Sequence, residues 1–175
     1  MTKQHLAGIV IRRLEEAGVL VEPGAAGRLD IYMEELSRWG RRLHLVGRGR
    51  LEENIVDLAV DSWLLCEFAD SRGLLCDGRR IADVGAGAGF PGVVWAIARP
   101  ELDVVLFERK EKLLRFLERV RLRLGAALLS VSGDDPARRP PPASFDVVVT
   151  RAAGRLPVAL PLAASLLKPG GAYLT

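Results

Sequence analysis

The spacing of hydrophobic residues changes once along the chain, near residue 70. Before that point hydrophobic residues recur every three to four positions, as in LDIYMEELSRWGRRLHLV, which places them on one face of a helix. Two such stripes are Leu6, Ile9, Val10 and Leu14 near the start, and Ile55, Ala59, Ser62 and Cys66 in LEENIVDLAVDSWLLCEFAD. We therefore predict a helical N-terminal prefix over residues 1–70, packed on the core.

From residue 79 onward, short hydrophobic runs alternate with longer amphipathic ones, which is typical of βα units around a parallel sheet. The predicted strands are Arg80 to Val84, LDVVLFE, AALLSVS, FDVVVTR and a fifth that begins at AYLT after a KPGG turn. Between them we predict a helix opened by Pro91, a charged helix ending at Gly125, the surface loop GDDPARRPPPAS and a helix interrupted near Pro161.

These elements predict an α/β, Rossmann-like fold for residues 79–175: a mainly parallel sheet with helices on both faces. The sequence stops at the predicted fifth strand, so we expect the last strands of the core to be missing. No second independent domain is expected in 175 residues.

Composition narrows the class of protein. Hydrophobic residues make up 49% and charged residues 27%, spread along the whole length, which excludes a disordered chain and a membrane span. The N-terminal MTKQHLAGIVIRRLEEAG lacks the continuous apolar run of a signal peptide, so we expect a cytoplasmic protein. We also expect a monomer. Cys66 and Cys76 are too few for a zinc site or a disulfide framework, so reduced thiols and no metal are expected. Arginine far outnumbers lysine, which fits either a phosphate-binding surface or a GC-rich genome.

The stretch IADVGAGAGFPG is the strongest candidate for a binding site. Glycines directly after a strand let the backbone turn sharply and approach a ligand closely, and in such sheets cofactors bind at the first βα loop. The loop contains the glycines Gly85, Gly87, Gly89 and Gly92. Two cofactor classes use this place: dinucleotides and S-adenosylmethionine.

Two carboxylates bear on that choice. Asp83, just before the first glycine, can face an ammonium group or a bound water but would repel a pyrophosphate, which favours S-adenosylmethionine. Glu108 closes the second predicted strand and can accept hydrogen bonds from both ribose hydroxyls of either cofactor. The loop also spells G-x-G-x-x-G from Gly87, so a nicotinamide dinucleotide stays open, as do glycines that serve only helix–sheet packing.

At DVGAGAGFPGVVWAIARPELDVVLFERKEKLLRFLERV the chain resembles the RsmG (GidB) methyltransferases, which use S-adenosylmethionine to methylate N7 of a guanine in bacterial small-subunit ribosomal RNA. The resemblance continues in FDVVVTRA, in VDSWLL and in the layout of the helical prefix. The chain departs from the family's pattern at His44-Leu45-Val46, at Asp57-Leu58 and at GDDP.

The resemblance implies a class I S-adenosylmethionine-dependent methyltransferase fold, with ribosomal RNA or the small ribosomal subunit as partner. It also implies cofactor contacts at Gly85 and Phe90, an acidic ribose partner at Glu108, adenine-side contacts from Asp134 and Asp135, and Arg151 beside the cofactor.

The residues after the fourth strand narrow the reaction. TRAAG stands where methylation of an exocyclic amine commonly uses an Asn/Asp-Pro-Pro-aromatic loop, and neither cysteine follows a strand as a cytosine C5 nucleophile would. Guanine N7 has a free lone pair and needs alignment more than a base. We interpret Arg151 as a positioning group for this step; it can instead satisfy carbonyls at the strand end.

Basic residues indicate candidate RNA contacts, most clearly in RWGRR together with Arg48 and Arg50. The basic helix from Arg109 to Arg115 is better interpreted as a solvated helix face. Trp39 and His44 can stack on a base, or serve as a core anchor and a local partner. Two other functions stay open: a methyltransferase of another RNA or a small molecule, and a cofactor-binding domain without catalysis.

Overall fold

The predicted prefix is helical in the structure, a computed structural model that describes residues 6–43, 50–139, 141–151 and 156–175. Its helices are α1 (Leu6–Glu16), α2 (Pro23–Leu43) and α3 (Leu51–Ser71). All four residues of the predicted α3 stripe are buried, which confirms that the spacing identified the face turned to the core. Two candidate RNA contacts, His44 and Arg48, lie outside the described residues.

The rest of the described chain forms one parallel sheet in the order β3-β2-β1-β4-β5. The strands are β1 (Arg80–Val84), β2 (Asp103–Phe107), β3 (Leu129–Ser132), β4 (Phe145–Val149) and β5 (Leu167–Leu174), and the helices between them are α4 (Gly92–Ala98), α5 (Glu111–Leu124) and α6 (Leu156–Leu166). The predicted α/β parallel architecture is confirmed. Because β1 lies between β2 and β4, the strand order reverses there, and ligands of open α/β sheets bind at that point.

Two predicted strand starts and one predicted helix interruption were wrong. β3 begins at Leu129 and not at Ala126, because Gly125 ends α5 in a left-handed conformation and the next residues form a turn. β5 begins before KPGG: Leu167 pairs with Phe145, and KPGG is an irregularity inside the strand.

The predicted interruption of helix α6 near Pro161 is absent: the helix continues through this proline. Pro161 lacks the N–H that would bond to the Pro157 carbonyl. Both residues are exposed, so water can satisfy that carbonyl and the helix continues.

The strands are nearly continuous hydrophobic runs because both faces of the sheet are covered. One face packs with α1 to α5 in the larger hydrophobic cluster, and residues such as Ile81 and Leu106 point to it. The other packs against α6, and Ala82 and Val105 point to it. The helical prefix and the sheet therefore share one apolar core.

A buried carboxylate joins the prefix to the sheet region. Glu35 in α2 is fully buried and accepts hydrogen bonds from Arg119 at 2.6 Å and from Arg123 at 2.7 Å, both in α5. Burial by itself raises the pKa of Glu35, but the two guanidinium groups outweigh it and hold the pKa below its usual value. Trp39 also donates to Glu35, at 3.0 Å, so this tryptophan takes part in the junction.

Candidate functional site

The loop after β1 carries bare backbone at the carboxyl edge of the sheet. The amides of Gly85 and Ala86 donate to the Phe107 carbonyl at 2.9 and 3.1 Å, which draws the loop toward β2. Gly85 and Gly87 have φ values of 77° and 56°, a region that L side chains rarely adopt. Gly85 is exposed, and a Cβ at Gly87 would meet only the Gly85 carbonyl, at 3.7 Å. This half of the loop is open to a ligand.

The other two glycines of the motif are buried and serve packing. A Cβ at Gly89 would lie 2.5 Å from Val93 Cγ2. A Cβ at Gly92 would lie 2.4 Å from Leu106 Cδ2 and 2.7 Å from Asp83 Oδ2. For Gly92, helix–sheet packing accounts for the glycine, and for Gly89 the close packing of α2 and α4 and a φ of 101° account for it.

Asp83 lies beneath the loop and is fully buried. Its Oδ2 accepts a hydrogen bond from the Gly92 amide at 2.9 Å, and its Oδ1 has no hydrogen-bond partner among the described residues. Burial raises the pKa of Asp83 to about 7; the Gly92 N–H opposes this rise and the charge of Glu108 adds to it. The structure thus places the carboxylate against the start of α4.

Glu108 follows β2 and is held by backbone donors. The Gly87 amide donates to its Oε2 at 2.9 Å, and the Lys110 amide donates to its Oε1 at 2.8 Å. Each carboxylate oxygen keeps a second lone pair for a ligand. The bond to Gly87 ties Glu108 to the open half of the glycine loop, so the two predicted cofactor contacts form one unit.

A cavity of about 400 Å³ lies beside Glu108, at the ends of β2 and β3. Its walls come from Glu108, Arg109, Lys110, Gly133, Asp135 and Arg138. Asp135 accepts a hydrogen bond from Arg109 at 3.0 Å across the cavity. The other predicted adenine-side residue, Asp134, is exposed and accepts a hydrogen bond from the Ser132 hydroxyl at 2.9 Å. The structure therefore brings Asp135 into the cavity wall with Glu108, whereas the Asp134 carboxylate bonds to its own strand end.

The prefix supports the glycine loop through Tyr32 in α2. The Tyr32 hydroxyl is buried and donates to the Ala88 carbonyl at 2.8 Å. Its ring packs on Phe90, with ring centroids 5.5 Å apart, so the Phe90 side chain is directed into the core. Burial and the nearby Asp83 charge raise the pKa of Tyr32 well above its usual value. Sequence reasoning missed this residue; the only signal was an aromatic residue in an otherwise aliphatic stripe.

Arg151 lies just after β4, on the other side of β1 from Glu108. Since neighbouring strands are about 4.8 Å apart, the ends of β2 and β4 are about 10 Å apart, with the glycine loop between them. The Arg151 guanidinium donates to Asp61 of α3 through Nη2, at 2.9 Å. Asp61 is a second residue that sequence reasoning missed, although it stands in the quoted VDSWLL.

The candidate RNA contacts that the structure describes lie at the end of α2 and just before α3. Trp39 is half-buried, with the guanidinium groups of Arg42 and Arg119 at 5.8 and 6.0 Å from its ring centroid. The α2–α5 junction at Glu35 makes the two helices antiparallel, so the arginines at the end of α2 lie toward the start of α5. Arg50 pairs with Glu53 at 2.7 Å.

The strand order, the glycine loop after β1 and the carboxylate after β2 define a Rossmann-like class I S-adenosylmethionine-dependent methyltransferase fold. A solved structure supports this class: a SAM-dependent methyltransferase from Thiobacillus denitrificans in complex with S-adenosyl-L-homocysteine. It has a TM-score of 0.50 and 24% identity, over 63% of this chain and 44% of that one.

The chain belongs to the GidB family, described as rRNA small subunit methyltransferase G, whose model matches residues 26–175. The ribosomal RNA small subunit methyltransferase G of Desulfitobacterium hafniense is 36% identical, over 98% of this chain and 70% of that protein. The protein of the same name from Symbiobacterium thermophilum is 31% identical, over 95% of this chain and 70% of that protein. The family that the motif resembles is thus confirmed.

Two features are absent from the described part of the chain. No helix in the described ranges is both long and apolar enough to cross a membrane. Nor do three or more histidine, cysteine or acidic side chains of those residues gather into a group that could hold a metal ion.

Proposed function

We propose that this chain transfers the methyl group of S-adenosylmethionine to N7 of a guanine in small-subunit ribosomal RNA, in the cytoplasm. Membership of the GidB family over residues 26–175 carries this proposal. The open backbone at Gly85 and Gly87, the oriented Glu108 and Arg151 support it, because they follow three adjacent strands at the carboxyl edge.

The described residues fit the cofactor. Gly85 and Gly87 present backbone without side chains, and the Glu108 carboxylate has lone pairs left for a ribose diol. The adjoining cavity of about 400 Å³ is of the size that binds a nucleoside-sized group. When bound, S-adenosylmethionine supplies an electrophilic methyl carbon on a positively charged sulfur.

The reaction asks the protein for alignment. The N7 lone pair forms the new bond to the methyl carbon, the bond from that carbon to sulfur breaks, and its electron pair stays on sulfur. No proton moves, so no general base is needed. Arg151 can donate to O6 of the guanine while leaving the N7 lone pair free, since guanine presents both acceptors on the same edge.

The RNA is held by phosphate contacts that carry no sequence information. The last turn of α2 supplies Arg41 and Arg42, and Arg38 lies one turn earlier. These arginines lie toward the start of α5, which follows β2 at the edge of the sheet that carries the glycine loop, so they are suited to hold RNA beside it.

Methyl transfer from labelled S-adenosylmethionine to unmethylated small ribosomal subunits and to naked small-subunit RNA tests the proposal. We expect one guanine to gain the label and to become sensitive to strand cleavage specific for N7-methylguanosine. Mapping methylated guanines in ribosomal RNA from cells with and without the gene gives the same test in vivo.

Isothermal titration separates the alternatives. We expect S-adenosylmethionine and its demethylated product to bind, and NAD not to bind. Binding without transfer to any RNA would contradict the proposal and favour a domain without catalysis. Label in another RNA or in a small molecule, and none in the small subunit, would contradict the proposed acceptor.

A further inference from the structure

We propose that Asp61 of α3 is a positioning residue for methyl transfer: it holds the Arg151 guanidinium in place and balances its charge beside the acceptor base. The inference rests on the proposed function, because it assumes that Arg151 faces the guanine. It gives the helical prefix a part in the acceptor side of the site, which the resemblance did not imply.

The pair lies where a positioning contact would be needed. Arg151 Nη2 and Asp61 Oδ2 are 2.9 Å apart, and Arg151 follows β4, which pairs directly with β1. Asp61 belongs to a helix that is itself anchored to α4, the helix that follows the glycine loop. The Trp95 indole N–H of α4 donates to the carbonyl of Ser62, the next residue after Asp61, at 2.9 Å in the buried core. The position of the Asp61 carboxylate is thus fixed relative to the glycine loop by a buried hydrogen bond between α3 and α4.

Stability does not explain this pair. The side chains of Arg151 and Asp61 are 35% and 61% exposed, and pairs as exposed as this contribute little to folding. The prefix is held to the sheet elsewhere, by the buried Glu35 with Arg119 and Arg123 and by the shared apolar core. The fold therefore does not depend on the Asp61–Arg151 pair, and a role in the candidate site accounts for it better than stability does.

The charge that moves in the reaction gives Asp61 a role. Methylation at N7 transfers a positive charge from the sulfonium to the purine ring. An unpaired guanidinium beside that ring would oppose the transfer. With Asp61 bound, the guanidinium can still donate to O6 through its other N–H groups, while the pair as a whole is neutral.

The test compares Asp61→Asn with the wild-type chain on unmethylated small subunits. The introduced amide can still accept one hydrogen bond from Arg151 but carries no charge. We expect kcat to fall about tenfold, because the bound base covers the guanidinium, whose uncompensated charge then opposes the positive charge on the purine ring more strongly than it would in water. We expect the dissociation constant of the demethylated cofactor, measured by titration, to stay within about twofold.

Asp57→Asn is the matched control. Asp57 lies one turn earlier on the same helix, is 60% exposed and also pairs with an arginine, Arg13 of α1, at 2.6 Å. It should leave kcat unchanged. Asp61→Glu keeps the charge and should restore part of the activity, which a loss caused by local unfolding would not allow.

A double-mutant cycle shows whether Asp61 acts through Arg151. If it does, Asp61→Asn has no further effect on kcat in an Arg151→Ala background. A kcat for Asp61→Asn within twofold of wild type would overturn the inference, and so would effects of the two substitutions that multiply. If the wild-type chain itself methylates no guanine, the proposed function has failed. This result differs from both outcomes that would overturn the role of Asp61.

Discussion

The two halves of the glycine motif after β1 have different roles: one leaves the loop backbone open and the other allows close packing. Gly85 is exposed and Gly87 is half-buried, and the Gly87 amide is bonded to Glu108. Gly89 and Gly92 are buried, and a methyl group at either would overlap Val93 or Leu106. We call the first two the outer glycines and the second two the inner glycines.

A single motif thus combines a binding requirement with a packing requirement. Gly92 lets α4 approach β1 and β2 closely, so that its amide reaches Asp83, and Gly89 leaves room for Val93 of α4 and Tyr32 of α2. The outer glycines depend on that support but face away from it. Substitutions in the two halves should therefore separate loss of stability from loss of cofactor binding.

The largest effect is expected for the inner glycine substitution Gly92→Ala. Its Cβ would lie 2.4 Å from Leu106 Cδ2 and 2.7 Å from Asp83 Oδ2, and both neighbours are fully buried. We expect a loss of about 3 kcal/mol or more in the free energy of unfolding, the upper range for overpacked cores. Urea denaturation followed by circular dichroism measures it.

Gly8→Ala in α1 is the control, because the added methyl meets no atom of the other described residues within 4 Å, apart from its own helix backbone and chain neighbours. It should stabilise the chain by about 0.5–1 kcal/mol, as alanine does within helices. Equal stability of Gly92→Ala and wild type would remove the distinction between inner and outer glycines.

The next effect concerns the carboxylate beneath the inner glycines. The pKa of Asp83 is raised from 3.8 to about 7 in the folded chain, so between these values the native state keeps a proton that the unfolded chain releases. Stability must therefore fall as pH rises through this range. Asp83→Asn keeps an acceptor for the Gly92 amide without that titration, and should exceed wild type by a few kcal/mol (order of magnitude) at pH 7.5.

At pH 4.5 the two proteins should be close in stability. Glu35, whose pKa is lowered, loses its contribution as pH falls, but it is present in both chains and cancels in the difference. Unfolding free energies at pH 4.5 and 7.5 provide the measurement. A difference between the two proteins that does not grow with pH would mean that Asp83 is ionised in the folded chain.

A smaller change in stability and a clear change in binding are expected for the outer glycine substitution Gly87→Ala. The methyl has room, at 3.7 Å from the Gly85 carbonyl, but it projects from backbone that a ligand must approach. We expect affinity for S-adenosylmethionine to fall about tenfold, or 1.4 kcal/mol, in isothermal titration.

Gly125→Ala is the matched control for backbone strain. Gly125 has a φ of 59° against 56° for Gly87, an open surrounding, and a position at the end of α5. Both variants should lose about 1–2 kcal/mol of stability, the cost of a left-handed conformation for alanine. If both lose affinity equally, strain and not the open backbone explains the effect.

The smallest effect is expected for Tyr32→Phe, which removes the buried hydrogen bond to the Ala88 carbonyl between the two pairs of glycines. We expect a loss of about 1 kcal/mol in unfolding free energy, the usual net value of such a bond. Cofactor affinity should change by less than about threefold, which is under 0.7 kcal/mol. A larger loss of affinity than of stability would assign Tyr32 to the binding half of the loop.

The main elements could be predicted from the sequence because each has its own local pattern. The predicted β1, Arg80 to Val84, agrees with the structure to the residue, and the α3 stripe is buried as expected. Boundaries failed where local signals compete with pairing: KPGG has the composition of a turn, but backbone pairing with β4 includes it in β5.

The candidate site was predictable where its residues follow the ends of strands. Because parallel strands all end at one edge of the sheet, the spacing brought Gly87 and Glu108 together, and the family resemblance added Arg151 beside them. The partners of these residues were not predictable. Tyr32 lies 56 residues from Ala88, and Asp61 lies 90 residues from Arg151.

The class of fold and the family could be predicted from the amino-acid sequence alone, because hydrophobic periodicity and the glycine motif are properties of short segments. Which glycines are exposed and which face the core depended on the tertiary fold, since both kinds share one residue type and one loop. So did the bonds from the prefix to the candidate site, Tyr32 to the Ala88 carbonyl and Asp61 to Arg151. Contacts between distant segments depend on how helices pack on the sheet, and that packing is settled by the whole core at once.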